Sequence, residues 1–212
     1  MLQIRWHGHA CWEITNDKTV ITDPHDGKSI GIPAPSVQGD IILVSHDHYD
    51  HNSVKSVEKE DSKVITDERK RNINGIDIKG FSSFHDEAGG AKRGSNIIFK
   101  FNVDDLDFCH LGDLGHELDD EAAEKIGNID VLFIPIGGTF TVDDKSAWNI
   151  IKKLKPRIVI PMHYKIGGLS LPIAGIDPFL EQNKYKVLPV GNEIEIDKED
   201  LPDELEVWTF TL

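Results

Sequence analysis

The heptapeptide Ser45-His46-Asp47-His48-Tyr49-Asp50-His51 places three histidines and two aspartates in seven consecutive positions. It directly follows the apolar run Ile41-Ile42-Leu43-Val44, which is typical of a buried β-strand. Imidazole and carboxylate groups are costly to bury without partners, and they are also common metal ligands. So dense a cluster at the end of a buried strand predicts a metal site rather than a group of unpaired polar side chains.

The spacing within the heptapeptide indicates more than one ion. His46 and His48 are two residues apart, so in an extended backbone their imidazoles leave the chain on the same side and can bind one ion. Asp50 and His51 follow after the chain has begun to turn, which directs them to a neighbouring position. One loop therefore offers ligands to two metal ions about 3.5–4 Å apart, the separation typical of two-metal hydrolytic sites.

Each ion needs more than two ligands, so further histidines or carboxylates are expected at other strand ends. Three residues meet this condition, each directly after a run that is typical of a strand: His85, Asp113 and His163. Taken singly, a histidine after a strand is usually a solvated or hydrogen-bonded loop residue. This explanation does not extend to the heptapeptide, because five ligand-type side chains within seven residues are too many to be isolated loop residues.

The pattern His46-x-His48-x-Asp50-His51, with three more ligand types downstream, resembles the metallo-β-lactamase superfamily over nearly the whole chain. This resemblance implies a four-layer α/β fold, the αββα sandwich, with one domain over residues 1–212 and the metal ions at one edge of the two sheets. The ligands that it implies form two groups: His46, His48 and His85 for the first ion, and Asp50, His51 and His163 for the second. Asp113 would bridge both ions, since only a carboxylate has two oxygens able to serve two ions at once.

Two further short motifs match the same family. Gly8-His9-Ala10 precedes the second predicted strand, and Asp23-Pro24 follows the third. With the short length of the chain, they make it similar to the small zinc-dependent hydrolase branch of the superfamily and to the ascorbate-6-phosphate lactonase group.

A site rich in histidine nitrogens with a few carboxylates suits two Zn²⁺ ions first, with Mn²⁺ or iron as alternatives. A zinc-bound water can lose a proton near neutral pH, because the ion lowers its pKa from 15.7 to about 7, and this supplies a hydroxide nucleophile. Asp50 is the predicted catalytic residue, placed to orient that nucleophile or to carry its proton. The sequence therefore predicts a metal-dependent hydrolase that cleaves a small ester, lactone or phosphodiester.

Two other functions stay open. Flavodiiron oxygen reductases resemble the chain but have glutamate where His48 stands and carry a flavin domain, so a non-hydrolytic di-iron redox protein is one alternative. A nuclease is the other, although 37 acidic against 23 basic residues give a formal charge of −14, which repels phosphate backbones. A nucleic-acid partner is therefore not expected.

Several residues could support the metal ligands. Asp23, Asp47 and Asp86 could each accept a hydrogen bond from the second nitrogen of a ligating histidine, although a turn cap or surface ion pair accounts for each equally well. His110 falls on a predicted strand and is expected to be a packed histidine. His116 is expected to face either the cleft or solvent.

The predicted substrate contacts are His9, Arg93, Tyr164 and Lys165. Tyr164 and Lys165 adjoin His163, while Arg93 and the neighbouring Lys92 lie in a glycine-rich loop. A cation beside the cluster suits a small-molecule substrate that is anionic, such as a phosphorylated sugar or a lactone carboxylate.

Composition limits the remaining possibilities. No stretch approaches the ~20 apolar residues of a membrane span, and the N-terminus lacks the apolar core of a secretory signal, so a cytoplasmic protein without a membrane partner is expected. Cys11 and Cys109 are too few for a disulfide framework and are predicted to be buried strand residues. The oligomeric state stays open.

Hydrophobic alternation predicts strands at residues 2–5, 11–15, 19–22, 41–45, 63–66, 96–101, 106–111, 131–136, 158–162, 193–196 and 206–210. Capping residues and apolar stripes predict helices at residues 119–126, 143–155 and 177–180, and a fourth helix over residues 52–59. Glycine and proline predict irregular loops at residues 27–39 and 89–94.

Overall fold

Two β-sheets face one another in this chain because most of their strands carry apolar side chains on the facing sides. The computed structural model describes residues 1–212. The strands are β1 (Leu2–Trp6), β2 (Trp12–Thr15), β3 (Thr19–Thr22), β4 (Gly39–Leu43), β5 (Glu58–Ile65), β6 (Arg71–Ile73), β7 (Ile76–Phe84), β8 (Ser95–Val103), β9 (Leu106–His110), β10 (Val131–Pro135), β11 (Ile158–Met162), β12 (Lys186–Gly191), β13 (Glu193–Ile196) and β14 (Glu206–Phe210). The helices are α1 (Asp120–Ile126), α2 (Asp144–Leu154) and α3 (Asp177–Glu181).

The first sheet has the order β13-β1-β2-β3-β4-β5, and the second has the order β12-β14-β11-β10-β9-β8-β7-β6. In the second sheet, neighbouring strands among β6, β7, β8 and β9 are antiparallel. Neighbouring strands among β9, β10, β11, β14 and β12 are parallel. Every residue of β10 and β11 is buried. This is expected where the helices of parallel crossovers cover one face of a sheet and a second sheet covers the other.

Helix α2 is the best example of local sequence and packing agreeing. Four of its buried residues follow the i, i+3, i+4, i+7 stripe that predicts the helix: Ala147, Ile150, Ile151 and Leu154. Trp148 is buried beside them. The carboxylate of Asp143 accepts a hydrogen bond of 2.8 Å from the main-chain N–H of Ser146, so Asp143 rather than Asp144 is the N-cap. The prediction of a helix here is confirmed.

The outer face of the first sheet is covered differently. A small apolar cluster lies there, formed by Cys11, Ile21, Ile42, Val44 and Val57. The chain crosses it with a single 3-10 turn, Val54–Ser56, and then enters β5. The predicted helix over residues 52–59 is therefore wrong, because Val54 and Val57 supply apolar residues for only one turn.

The sequence predicts β7 only through the strand-like run that His85 follows, and it does not predict strands β6 and β12. Both lie at an edge of the second sheet, and most of their side chains are exposed or half-buried. Edge strands of this kind carry little hydrophobic alternation, so the pattern is too weak to predict them.

The predicted α/β sandwich of two facing sheets is confirmed, although only a 3-10 turn, and no α-helix, crosses the apolar cluster on the outer face of the first sheet. One domain over residues 1–212 stays a prediction. Cys11 and Cys109 are both free and buried. Burial raises the pKa of the Cys109 thiol to about 12, which is unfavourable for thiolate formation.

None of the three helices combines the length and the hydrophobicity that a membrane-spanning helix needs.

Substitution of Asp143 tests its assignment as the N-cap of α2. We expect Asp143→Ala to lower the free energy of unfolding by about 1 kcal/mol, because the N–H of Ser146 loses its acceptor. Asp144→Ala is the matched control and should lower it by only a few tenths of a kcal/mol, since Asp144 acts on the helix dipole and accepts only an exposed side-chain hydrogen bond from Gln182. Urea denaturation followed by circular dichroism measures both, and equal losses would contradict the assignment of the cap.

Candidate metal centre

All seven residues predicted to bind metal lie at the carboxyl ends of strands. His46, His48, Asp50 and His51 occupy the turn after β4, and His85, Asp113 and His163 directly follow or lie just beyond β7, β9 and β11. These strands belong to both sheets, and their ends meet at one rim of the sandwich. The fold therefore gathers side chains that are up to 117 positions apart in the sequence (163 − 46).

The first group comprises His46, His48 and His85, whose candidate ligand atoms all lie within 4.8 Å of one another. The ring centroid of His46 is 4.5 Å from that of His48 and 4.7 Å from that of His85. His48 is half-buried, whereas His46 and His85 are buried. This group therefore has one side facing solvent.

The second group contains the predicted Asp50, His51 and His163 and one residue more, His9. The Nε2 atom of His9 lies 3.1 Å from Oδ2 of Asp50 and 3.2 Å from Nε2 of His51. Its ring packs on that of His163 with 4.1 Å between centroids. His9 is fully buried, so it belongs to the interior of the cluster rather than to a substrate pocket.

Asp113 lies between the two groups. Its Oδ2 atom is 3.2 Å from Nε2 of His85 in the first group, and 3.2 Å and 3.1 Å from Nε2 of His51 and His163 in the second. Nε2 of His46 is slightly farther away, at 3.8 Å. Asn96 fixes this position by accepting a hydrogen bond of 2.9 Å from the main-chain N–H of Asp113.

A buried carboxylate, that of Asp23, sets the orientation of the second group. Asp23 has only acceptor oxygens, and its Oδ2 lies 3.0 Å from Nδ1 of His51. Nδ1 of His51 must therefore carry the proton when the ring is neutral. The lone pair of His51 is then on Nε2, the atom that faces Asp50 and Asp113.

The same carboxylate acts on the first group through Ser45. The Ser45 hydroxyl donates its one proton to Asp23 over 2.6 Å, so it can only accept from Nδ1 of His46, which is 2.9 Å away. Nε2 of His46 is thus left as a lone pair, and it is buried with no hydrogen-bond partner. One carboxylate therefore determines the tautomer of a histidine in each group.

The positions of these nitrogen and oxygen atoms show whether the residues are suited to bind a cation. Nε2 of His51 lies 3.2 Å from a carboxylate oxygen of Asp113, a spacing that needs a positive charge, either a proton on the ring or a metal ion. Burial opposes a charge on His51, but Asp113, Asp23 and Asp50 outweigh it and raise the pKa of His51 well above its usual range, so the same carboxylates would attract a metal ion. The buried Oδ1 of Asp113 has no partner either. A donor set of imidazole nitrogens and carboxylate oxygens at such spacing fits zinc or another divalent transition metal.

The charges of the groups agree with this fit. Burial opposes ionisation of Asp113, but His163 and His51 outweigh it and hold the pKa of Asp113 well below its usual range. Burial likewise opposes ionisation of Asp50, and hydrogen bonds from His51 and His9 lower its pKa nonetheless. Burial lowers the pKa of His46 to about 3, so that ring is neutral and can donate its lone pair.

Three of these buried residues have left-handed backbone conformations, which side chains other than glycine adopt rarely. The φ angles are 56° for His9, 38° for Asp23 and 51° for His163. Each of these residues directs its side chain into or against the cluster. Their backbone conformations belong to the construction of the site.

A pocket of about 320 Å³ opens beside the cluster. Members of both groups form one wall, and the other is formed by Tyr49, Lys92, Arg93, Phe140 and Leu171. Of the predicted substrate contacts, only Arg93 lies on this pocket. Its walls are compatible with a small molecule.

The other predicted substrate contacts lie elsewhere. The Tyr164 side chain is buried on Trp6, and its hydroxyl donates to the main-chain oxygen of Phe210 over 3.2 Å. The Lys165 ammonium donates to the main-chain oxygens of Leu169 and Leu171. Tyr164, Lys165 and the buried His9 do not line this pocket, because backbone oxygens hold the first two and the cluster holds the third. Their contact with substrate stays a prediction that this geometry does not favour.

Of the possible supporting residues, Asp23 alone contacts a histidine of the cluster. Asp47 is exposed and accepts from the side chain of Asn52. Asp86 instead organises the glycine-rich loop, because its carboxylate accepts four main-chain N–H groups, those of Ala88, Gly90, Lys92 and Arg93.

The other two histidines considered in the sequence analysis, His110 and His116, lie outside the candidate ligand groups. His110 is fully buried, and its Nε2 donates to the main-chain oxygen of Ala10 over 2.9 Å, so it is a packed histidine as predicted. His116 is held between the main chain of Phe84 and Glu117 rather than directed at the cluster.

Three residues contact the candidate ligands in ways that the sequence does not predict: His9, Ser45 and Asn96. Gly8-His9-Ala10 carried a signal for His9, but the motif does not show that the ring is buried in the second group. Ser45 adjoins His46, and that adjacency is the signal by which it could have been found. Asn96, which supports Asp113, begins a predicted strand and gives no local signal.

Comparisons with known proteins place these residues in a wider context. A family model described as the β-lactamase superfamily domain matches residues 3–163. A metal-dependent hydrolase of Thermoplasma acidophilum is 29% identical over 228 aligned positions, covering 96% of this chain and 99% of the relative.

Solved structures extend the likeness to three dimensions. A Thermotoga maritima protein, described as a candidate zinc-dependent hydrolase of the metallo-β-lactamase superfamily, has 36% identity and a TM-score of 0.82 over 99% of this chain and 98% of its own. A candidate metal-dependent hydrolase of Parabacteroides distasonis has 19% identity and a TM-score of 0.69 over 98% and 92%. The second likeness concerns the fold alone.

The role of Asp23 can be tested by metal affinity. We expect Asp23→Asn to weaken binding of Zn²⁺ about 10- to 100-fold at both candidate groups. An amide has only one acceptor oxygen, so its NH2 group would face either the main-chain N–H of Ser45 or the two donors on the other oxygen, the Ser45 hydroxyl and Nδ1 of His51. Ser45→Ala should weaken only the first group, because it removes the acceptor of His46 and leaves His51 held. Competition with a chromophoric chelator measures both.

Asp47→Asn is the matched control, because Asp47 is an exposed aspartate of the same heptapeptide and contacts no candidate ligand. It should bind Zn²⁺ as the unaltered protein does. Unchanged affinity in Asp23→Asn would contradict the proposed control of the histidine tautomers.

Proposed function

This chain belongs to the metallo-β-lactamase superfamily and is a metal-dependent hydrolase, and from that premise we propose that two divalent metal ions at the candidate centre cleave a small ester, lactone or phosphodiester. The first ion would be held by His46, His48 and His85, and the second by Asp50, His51 and His163. Asp113 would serve both.

One observation supports a pair of ions more strongly than any other. A single oxygen of Asp113 lies within 3.2 Å of histidine nitrogens from both groups. A carboxylate in that position can bind two ions through its two oxygens, and its second oxygen is buried without a partner. Two ions about 3.5–4 Å apart are typical of hydrolytic centres.

Divalent ions bound there would supply a hydroxide nucleophile at neutral pH and a Lewis acid for the oxygen of the scissile group. The residues of the chain do the rest. Asp50 is ionised, lines the pocket and can accept the proton of the attacking water. His9 donates to the carboxylate of Asp50 and so fixes its orientation.

The pocket favours small substrates. Its volume of about 320 Å³ is at the lower end of the range for ligand pockets. A long nucleic acid would have to approach a chain with a formal charge of −14, which opposes binding. Zinc is the proposed metal because nitrogen donors predominate, and manganese or iron would also suit these ligands.

Metal analysis combined with substitution tests the proposal. Purified protein should contain close to two equivalents of metal, and loading with Zn²⁺ or Mn²⁺ should support turnover in a screen of lactones, esters, thioesters, phosphodiesters and sugar phosphates. His48→Ala should retain the fold by circular dichroism and lose at least about 100-fold in kcat/KM, because the first ion loses a ligand.

His116→Ala is the matched control, since His116 lies near the site but its partners are the main chain of Phe84 and Glu117 and the ring of Phe84, none of them a candidate ligand. It should keep both metal equivalents and full turnover. Full activity of His48→Ala would overturn the hydrolytic proposal. Iron with redox-dependent absorbance and no hydrolysis would favour a di-iron redox protein instead.

A further inference from the structure

The arginines of this chain differ in one respect that points to the pocket. Four of the five have an acidic partner: Arg5 pairs with Glu193, Arg69 and Arg71 with Asp67, and Arg157 with Asp203. Arg93 forms no ion pair. In a chain with 37 acidic and 23 basic residues, a guanidinium without an acidic neighbour is exceptional.

The guanidinium of Arg93 is nevertheless held in place. One of its NH2 groups donates to the main-chain oxygen of Thr139 over 3.2 Å, and its central carbon lies 5.3 Å from the ring centroid of Phe140. The main-chain N–H of Arg93 donates to Asp86 over 2.7 Å. Since a guanidinium has five N–H donors, most of them are free for another acceptor.

The position of Arg93 relates these donors to the metal centre. Arg93 and Phe140 line the same pocket of about 320 Å³ as His48 and Asp50. Lys92 also lines it, but that side chain is exposed and pairs with Glu87. Arg93 is therefore the cation in this wall that has no acidic partner within the chain.

We propose that Arg93 forms a subsite for an anionic group of the substrate, a carboxylate or a phosphate, that is separate from the bond cleaved. The inference rests on the proposed hydrolytic function. Carboxylate and phosphate both offer two acceptor oxygens that match the planar fork of a guanidinium. Phe140 and Leu171 would contact the apolar part of such a substrate between the anion and the scissile bond.

The first test compares charged and neutral substrates of similar size. We expect the Zn²⁺-loaded protein to prefer mono-p-nitrophenyl glutarate, or a p-nitrophenyl ester ending in a phosphonate, over neutral p-nitrophenyl butyrate. In Arg93→Ala the ratio of kcat/KM for charged over neutral ester should fall about 10- to 100-fold. Whichever anionic ester loses more identifies the carboxylate or the phosphate as the preferred group.

Arg69→Ala is the matched control, because it removes an arginine that is exposed and paired with Asp67 away from the pocket. Its ratio should equal that of the unaltered protein. Arg93→Lys retains the charge without the fork and should fall between the two. An unchanged ratio in Arg93→Ala would overturn the subsite while leaving hydrolysis intact.

The second test needs no turnover. In the Zn²⁺-loaded protein, glutarate or methylphosphonate should protect Arg93 from phenylglyoxal, as measured by mass spectrometry of its peptide, whereas chloride at equal ionic strength should not. Arg69 should react equally in all cases. Absence of protection would overturn the subsite, and protection without hydrolysis of any ester would retain it and count against the proposed function.

Discussion

The buried carboxylate of Asp23 is the interaction on which the rest of the site depends. It is almost fully removed from water and accepts from the main-chain N–H and the hydroxyl of Ser45 and from the ring of His51. A buried charge without such donors would be strongly destabilising. Because strands β3 and β4 are paired with Thr22 opposite Leu43, the residues that follow them, Asp23 and Ser45, are brought together by the sheet itself. The register of these two strands thus determines which ring nitrogen of His46 and of His51 carries the proton in the neutral form.

The site is also a junction between the two sheets. Ser45 accepts a main-chain hydrogen bond of 2.9 Å from Ile97 of the second sheet, and the main-chain oxygen of His9 accepts one of 3.2 Å from His163. These bonds join the turns of the first sheet to strand ends of the second. The candidate ligands are therefore positioned by main-chain contacts as well as by their own side chains. A rigid rim of this kind can hold several imidazoles and ionised carboxylates close together.

Much of the fold and the outline of the site could be predicted from the sequence for a physical reason. Buried strands and α2 carry strong periodicities, and the residues from His46 to His51 are so rich in ligand groups that leaving them all unpaired beside a buried strand would be very costly. The structure brings the distant His85, Asp113 and His163 to that cluster, as expected for residues at strand ends, although their binding of metal stays a prediction. Contacts that depend on the third dimension could not be predicted in the same way.

The substrate contacts illustrate that limit. Tyr164 and Lys165 adjoin a candidate ligand in sequence, yet the backbone turns at His163 and directs both away from the pocket. Arg93 is 70 positions from His163 and lies on the pocket wall (163 − 93). The burial of His9 could not be predicted either, because burial is a property of the folded chain. The first half of strand β5 could not be predicted because it is exposed, and exposed edge strands carry little hydrophobic alternation.

The left-handed backbone at His9, Asp23 and His163 has a consequence for protein engineering. Each of these conformations is less stable for a residue with a side chain than an ordinary one, by roughly 1 kcal/mol, and only the surrounding sandwich maintains it. Copying the histidines and aspartates onto another scaffold would reproduce the chemical groups but not the directions in which they point. A designer who wished to transplant this centre would have to carry over the three tight bends of main chain, and the packing that enforces them, together with the side chains.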